Sequence, residues 1–204
     1  MSDLSALGDV KALIAASDAA ALQELMAQLT AAEIREVLAG LDPADFPALL
    51  EKVDPAVLRT LVEGVGTPGE LKQFLDMAGD SDPLIHQFIA KAGVDVLLDR
   101  VFALMGTRFL PDRVGGENGV VEWHIKTPGE IKVYHVDIAD GRAEGHSGPA
   151  PGRARTTLTM SAPDLLRLCA GTLNGLPAFM NGKIKLAGDM IFGAKLPGAF
   201  DVSG

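Results

Sequence analysis

The chain has 204 residues, of which 48% are hydrophobic and only 5% aromatic, so aliphatic side chains must build most of its core. Its net charge of −9 argues against binding nucleic acid through phosphate contacts, and against tight docking on an anionic membrane through charge. The single cysteine, Cys169, excludes an internal disulfide and a CxxC metal site, and it indicates a reducing compartment.

Targeting and membrane signals are not evident in the sequence as given. No basic segment followed by an apolar run opens the chain, no stretch reaches about 18 apolar residues, and the final residues are not a peroxisomal address. We therefore expect a cytoplasmic protein that is not an integral membrane protein.

The first 80 residues contain a repeat with a period of about 12 residues. Each unit opens with a residue that can cap a helix, and apolar residues follow four, seven and eight positions later. The opening residues are Asp18, Thr30, Asp42, Asp54 and Thr67. Three units place proline next, in the first helical turn, where proline is tolerated. The pattern predicts an all-α module of short stacked helices over residues 1–80.

Part of this repeat has a recognisable pattern. Segments such as LDPADFPALLEKVDPAVLRTLVEGV, residues 41–65, weakly resemble the N-terminal cytoplasmic domain of bacterial magnesium transporters over about 50 residues. That domain is also a helical stack. The transmembrane part of that family is absent here, so the resemblance implies architecture and no function. A packing role or binding of a protein partner is what we expect of this module.

Residues 81–204 are predicted to form a second domain, which opens with a helix from Pro83 to Met105. The period then changes from helical to alternating, which predicts strands. In chain order we expect strands at 120–125 and 131–138 joined by the turn 127–129, a strand at 154–160, a helix capped by Ser161, a short helix around Phe179, a strand at 184–186 and a helix over 189–196.

The run from Leu158 to Leu196 carries a series of ordered motifs. These are Asp164-Leu165-Leu166, Gly171-Thr172-Leu173-Asn174, the segment AFMNGKIKL at 178–186, and Gly188-Asp189-Met190. This series resembles the sterol-carrier-protein-2 (SCP2) family, and the likeness extends over about residues 83–200. It implies an α+β fold in which helices cover one face of a mixed sheet and an apolar tunnel lies between them.

The resemblance also implies which side chains line that tunnel. The predicted ligand-binding residues are Trp123, Ile125, Leu165, Leu168, Phe179, Met180, Met190 and Ile191. The last helix is expected to turn Met190, Ile191, Ala194 and Leu196 toward the sheet. Each of the eight residues could equally be ordinary core, and that alternative stays open.

The histidines and a glycine-rich segment are the candidates for a metal or catalytic site in this sequence. Alternation puts His124 on the opposite strand face from Trp123, and His146 is predicted to lie in a loop, so we expect surface or edge histidines and no metal. His86 has no partner at ligand spacing. No GxSxG elbow and no phosphate-binding loop is present, so no cofactor, catalytic residue or enzymatic activity is expected.

Together these features predict a non-catalytic intracellular carrier whose partner is a hydrophobic small molecule, such as a sterol, fatty acid or acyl-CoA. Two alternatives stay open: an accessory protein that docks on an enzyme of lipid or isoprenoid metabolism, and a scaffold whose cavity has collapsed.

Overall fold

The structure is a computed structural model that describes residues 3–79 and 81–203. Asp80, which stands at the predicted domain boundary, lies outside the described residues, as do Met1, Ser2 and Gly204. The chain divides into two compact units, one of residues 1–65 with 73–97 and one of residues 66–72 with 98–204. The boundary between residues 80 and 81 stays a prediction.

Short helices make up the first part of the chain, as predicted. They are α1 (Asp3–Ala15), α2 (Ala19–Gln28), α3 (Ala31–Ala39), α4 (Phe46–Lys52), α5 (Pro55–Gly64), α6 (Pro68–Ala78) and α7 (Asp82–Ala92). A 3-10 turn, Pro43–Asp45, precedes α4.

The predicted capping residues hold the starts of these elements. The carboxylate of Asp18 accepts a hydrogen bond from Ala21 N at 3.0 Å, and that of Asp54 accepts one from Ala56 N at 2.7 Å. Thr30 forms a reciprocal capping box with Glu33. The predicted opening of α7 is shifted by one residue, because the hydroxyl of Ser81 is the cap and accepts from Leu84 N.

Basic side chains connect neighbouring helices of the first unit at their C-terminal ends. Lys91 Nζ donates to the carbonyl oxygens of Leu50 and Glu51 in α4, both at 2.7 Å. Lys52 Nζ donates to Ile14 O in α1, and Arg35 Nη1 donates to Gly64 O in α5. The last carbonyls of a helix have no partner within it, so these contacts satisfy groups that the short helices leave open.

The prediction of one helix from Pro83 to Met105 was wrong. The helix ends at Ala92 and a new one, α8 (Val94–Thr107), begins after Gly93. Gly93 has a φ of 102°, a conformation that glycine adopts without a Cβ clash and that interrupts the helical path.

The second unit contains a five-stranded mixed sheet in the order β3-β2-β1-β4-β5. Its strands are β1 (Gly119–Thr127), β2 (Glu130–Ala139), β3 (Arg142–Ser147), β4 (Thr156–Ser161) and β5 (Lys185–Gly188). The predicted β1–β2 hairpin is confirmed, and β4 runs parallel to β1. The later helices are α9 (Ala162–Cys169), α10 (Gly175–Met180) and α11 (Met190–Lys195), followed by the 3-10 turn Leu196–Gly198.

Alternation along β1 gives the sheet two different faces, as predicted. Trp123 and Ile125 are buried, whereas Glu122 and His124 on the opposite face are only half-buried. Helix α8 approaches β3 very closely, since a Cβ added to Gly145 would collide with the carbonyl oxygen of Phe102. Glycine in the edge strand therefore permits this contact.

Candidate functional site

Trp123 lies at the centre of the buried sheet face. Tyr134 of β2 and Leu158 of β4 are its partners across the two neighbouring strands. From α8, the ring of Phe102 meets Trp123 edge to face at 5.7 Å between centroids and stacks on Tyr134 at 4.5 Å. All four side chains are almost fully buried. They form the apolar layer of the domain, the name we use for this buried sheet face and the helix side chains packed on it.

The polar end of Tyr134 is satisfied at the edge of this layer. Its hydroxyl donates a hydrogen bond to Asp99 Oδ1 at 2.7 Å. A cavity of about 420 Å3 lies beside this pair, lined by Asp99, Phe102, Tyr134, Gly145, His146 and Ser147. None of the eight predicted ligand-binding residues is in that lining.

Helix α9 covers β1 and β4 from the same side. The hydroxyl of Ser161 caps the helix by accepting from Asp164 N at 3.2 Å, and it donates to Asp164 Oδ2 at 2.8 Å. This start directs Leu165 into the layer, where it is fully buried. Lys183 Nζ lies 3.4 Å from Asp164 Oδ1, so the buried carboxylate has both a hydroxyl and a cation beside it.

Helix α11 turns a different face toward the sheet than predicted. It buries Phe192 and Gly193 and leaves Met190, Ile191 and Ala194 exposed. A Cβ on Gly193 would lie 2.6 Å from Leu186 Cδ2 of β5, so this glycine marks the side of close approach. The predicted orientation was wrong because the close approach of Gly193 to Leu186 and Thr156 selects Phe192 and Gly193 as the inward side.

The eight predicted ligand-binding residues therefore separate into two groups. Trp123, Ile125, Leu165 and Leu168 are buried in the apolar layer. Phe179 is half-buried, and Met180, Met190 and Ile191 are exposed. Contact of any of the eight with a ligand stays a prediction.

Three aromatic residues of the layer, Phe102, Tyr134 and Phe192, were not among the predicted ligand-binding residues. Phe102 stood in a helix assigned only to the start of the domain, and its contact with Trp123 spans residues too distant for a sequence pattern to reveal. The sequence does carry one indication of Phe192, because this residue precedes Gly193, and a glycine in a helix can mark the side that packs closely on a neighbour. The ring of Phe192 also lies under the guanidinium of Arg155, 4.1 Å from the ring centroid.

The indole nitrogen of Trp123 is a buried donor without a partner. Within the described residues, no acceptor is in hydrogen-bond range of Nε1, and the side chain is 1% exposed. Buried donors are almost always paired, so an unpaired one in an apolar layer is unusual. An oxygen atom of a bound molecule could accept from it.

The opposite face of the sheet carries the histidines. His124 donates from Nε2 to Glu122 Oε1 at 2.6 Å, and Glu122 also accepts from Ala150 N. His146 lies in β3 and not in a loop, because the strand extends to Ser147; it pairs with His135, and their rings stack at 5.1 Å. Over residues 3–79 and 81–203, no three His, Cys, Asp or Glu side chains are grouped to hold a metal ion.

This architecture defines a class, an α+β domain in which helices close one face of a mixed sheet over an apolar layer. Residues 104–201 match the SCP-2 sterol transfer family, and this part of the chain is an SCP2-like domain, of a type associated with lipid binding and transfer. The match begins later than the predicted range of 83–200.

Three similar proteins place this match in context. Peroxisomal multifunctional enzyme type 2 of Mus musculus is 34% identical over 80 residues, which are 39% of this chain and 11% of that protein. Palmitated SCP2L2 from Aedes aegypti is 28% identical, with a TM-score of 0.42 over 52% of this chain and 91% of that one. The sec-alkylsulfatase Pisa1 from Pseudomonas sp. is 17% identical, with a TM-score of 0.46 over 98% of this chain and 30% of that one. The match thus spans about a tenth of the mouse enzyme's length.

Within residues 3–79 and 81–203, no helix is long and apolar enough to cross a membrane.

Proposed function

We propose that the SCP2-like domain is a non-catalytic carrier that binds a sterol, fatty acyl chain or similar lipid between the sheet and its helices. The match of residues 104–201 to a sterol transfer family supports this function. Burial of the ligand's hydrocarbon would drive binding, at about 25 cal/mol for each Å2 of apolar surface removed from water.

The observation that carries this proposal is the unpaired Nε1 of Trp123 within the apolar layer. A buried N–H without an acceptor costs about 1–3 kcal/mol, and a ligand oxygen would remove that cost. The surroundings of Trp123 are aromatic and aliphatic, so the rest of the ligand should be hydrocarbon. A long-chain or polycyclic lipid with one oxygen-bearing end meets both requirements.

The chemistry of the buried polar groups supports a role without catalysis. Thr156 and Asp164 are the buried polar residues of the described chain, and both have structural partners. Thr156 donates to Ala187 O of β5, and Asp164 is held by Ser161 and Lys183. Burial raises the pKa of the Cys169 thiol to about 12, so this thiol stays protonated at neutral pH and is a poor nucleophile.

A second function is favoured by one observation. In the mouse relative the matching 80 residues are only 11% of a multifunctional enzyme. The domain of this chain could therefore hold a lipid substrate for a partner enzyme, as an accessory protein. A carrier should bind lipid alone with full affinity, whereas an accessory domain should gain affinity when its enzyme is added.

Titration of the purified chain with a fluorescent fatty acid and a fluorescent sterol tests the proposal. Trp123 is the only tryptophan, so its emission reports directly on the apolar layer. Saturable binding with a change in Trp123 emission is expected, and native mass spectrometry of the protein as purified should detect a bound lipid. Absence of saturable binding to every long-chain lipid tried would leave the collapsed scaffold as the better description.

A further inference from the structure

All three asparagines of this chain are followed by glycine. The pairs are Asn118-Gly119, Asn174-Gly175 and Asn181-Gly182. In such a pair the backbone nitrogen of the glycine can attack the asparagine carboxamide, and the absence of a Cβ on glycine leaves that approach open. The reaction needs a carboxamide that is free of partners and a backbone that can rotate. The three pairs therefore have the same chemistry, and their surroundings decide which of them reacts.

Asn118 is held from two directions just before β1. Its side-chain Oδ1 accepts a hydrogen bond from Asp140 N at 3.2 Å, and its backbone oxygen accepts one from Arg155 Nη1 at 2.8 Å. Gly119 pairs with Ile138 in the sheet, and a Cβ added to it would collide with the side chain of Arg155. These contacts hinder rotation of both the carboxamide and the backbone nitrogen of the glycine.

Asn174 is restrained as the N-cap of α10. Its Oδ1 accepts a hydrogen bond from Leu176 N at 3.2 Å, and its backbone oxygen accepts one from Ala178 N at 3.1 Å. Gly175 is buried, and a Cβ added to it would collide with the ring of Pro197. Because the carboxamide is engaged as the cap and the glycine is tightly packed, this pair has little freedom to close into a ring.

Asn181 stands at the opposite end of the same helix and lacks these restraints. Asn181 and Gly182 are both exposed, and the Asn181 side chain has no hydrogen-bond partner among the described residues. A Cβ added to Gly182 would meet nothing within 4 Å, so open space surrounds this glycine. Its N–H donates to Phe179 O at 3.0 Å, at the end of a helix of six residues. Helix ends open at little cost in free energy, so this bond is a weak restraint.

We propose that Asn181 is a site of spontaneous modification, which converts it to aspartate and isoaspartate through a cyclic imide. The Gly182 nitrogen loses its proton to a solvent base and forms a bond to Cγ of Asn181, while the bond from Cγ to Nδ2 breaks and ammonia leaves. Water then opens the ring at Cγ to give aspartate, or at the backbone carbonyl carbon to give isoaspartate. The reaction consumes a water molecule and releases an ammonia molecule, with no oxidation or reduction.

Either product would change the turn between α10 and β5. In this turn the N–H groups of Asn181, Gly182 and Lys183 donate to carbonyl oxygens of α10, and the next residue, Ile184, is buried. Aspartate places a negative charge at the C-terminus of the helix, where it is unfavourable. Isoaspartate also adds a carbon atom to the main chain, so these hydrogen bonds can no longer all be made.

Storage of the full chain in mildly alkaline buffer tests the proposal. Tryptic peptides are followed by mass spectrometry for the replacement of an amide NH2 group by OH. Asn174 and Asn181 share the tryptic peptide 168–183, so fragment spectra are needed to assign the site. Asn181 should deamidate roughly ten-fold faster than Asn118 and Asn174, a ratio that corresponds to about 1.4 kcal/mol of local opening free energy. An isoaspartyl methyltransferase should label the stored protein and not the fresh one.

The other two pairs provide matched controls within the same chain. In guanidinium chloride all three pairs should react at similar rates, because unfolding removes the contacts that restrain Asn118 and Asn174. Asn181→Gln should remove most of the methyltransferase labelling, since glutamine would have to close a larger ring, whereas Asn118→Gln should leave it unchanged. Equal rates at the three pairs in the native protein, or a ten-fold difference that persists in guanidinium chloride, would overturn the assignment. None of these measurements involves a lipid, so lipid carriage and this modification can fail independently.

Discussion

The rings of Trp123 and Phe102 meet edge to face, with their centroids 5.7 Å apart and their planes at 75°. This contact joins the central strand of the sheet to α8, and it fixes the orientation of the indole in the apolar layer. In this orientation the indole nitrogen is buried and has no partner among the described residues.

Trp123→Phe should weaken binding of oxygen-bearing lipids by about three- to ten-fold, the usual contribution of one hydrogen bond. Its effect on a fluorescent hydrocarbon without oxygen should be smaller. The measurement is a ligand titration read from the probe's own emission. Tyr134→Phe is the control, because the Tyr134 hydroxyl already has Asp99 as its partner. If both variants lose equal affinity for every ligand, the indole N–H has no specific role.

Arg155 connects the segment before β1 to the start of α11. Its guanidinium donates to Asp189 Oδ2, Glu117 Oε2 and Asn118 O, and it lies over Phe192. Arg155→Met should lower the melting temperature more than Arg153→Met, because Arg153 is exposed two residues away. The difference in melting temperature between the two variants should shrink in high salt, since screening weakens the ion pairs that Arg155 makes in the unmodified protein. Thermal melts of both variants at low and high salt measure this; equal melting temperatures would contradict a structural role for the network.

Glu122 should make the domain sensitive to acid. The hydrogen bond from His124 and that from Ala150 N hold the pKa of Glu122 below its ordinary value of about 4.5. A carboxylate with a lowered folded-state pKa stabilises the fold above its unfolded-state pKa, and this contribution is lost as pH falls through the folded-state pKa. Glu122→Gln should therefore cost about 1–2 kcal/mol near neutral pH and progressively less below pH 4.5.

Urea unfolding of the unmodified protein and Glu122→Gln across this pH range provides the test. Glu130→Gln is the control, since the Glu130 side chain is 57% exposed. A cost for Glu122→Gln that does not change with pH would mean that the carboxylate charge is not responsible.

Cys169 should react slowly in the native protein. Burial raises the pKa of its thiol to about 12, so almost no thiolate exists near neutral pH. Because Cys169 is only half-buried, Ellman's reagent should label it in the native protein, but far more slowly than after denaturant unfolds the domain. Equal labelling rates in the two states would contradict the raised pKa of the thiol.

Expression of residues 81–204 alone tests the predicted domain boundary. We expect cooperative thermal unfolding, because the sheet and helices α8 to α11 lie within this fragment. Helix α7 packs on α4 and α5 in the full chain and buries Ile85, Phe88 and Ile89. The fragment should therefore bind a hydrophobic dye, and replacing these three residues by serine should reduce dye binding without lowering the melting temperature. An aggregated fragment would mean that residues before 81 belong to the same folding unit.

The sequence by itself determined the features that depend on neighbours along the chain. Asp18, Thr30 and Asp54 cap helices through hydrogen bonds that reach only two or three residues. Alternation placed Trp123 inward and His124 outward, because successive side chains of a strand point to opposite faces. The ordered motifs between Leu158 and Leu196 indicated the family for the same reason, as a linear pattern.

Only the tertiary structure decided the contacts between distant segments. Asp99 and Tyr134, which form a hydrogen bond, are 35 residues apart, and Arg155 and Asp189 are 34 residues apart, so no local period relates either pair. The sequence also could not determine which face of α11 is buried. A helix of six residues has fewer than two turns, so more than one face of it could be taken as the apolar one. Packing against Leu186 and Thr156 selects Phe192 and Gly193 as the inward side, and leaves Met190 and Ile191 exposed.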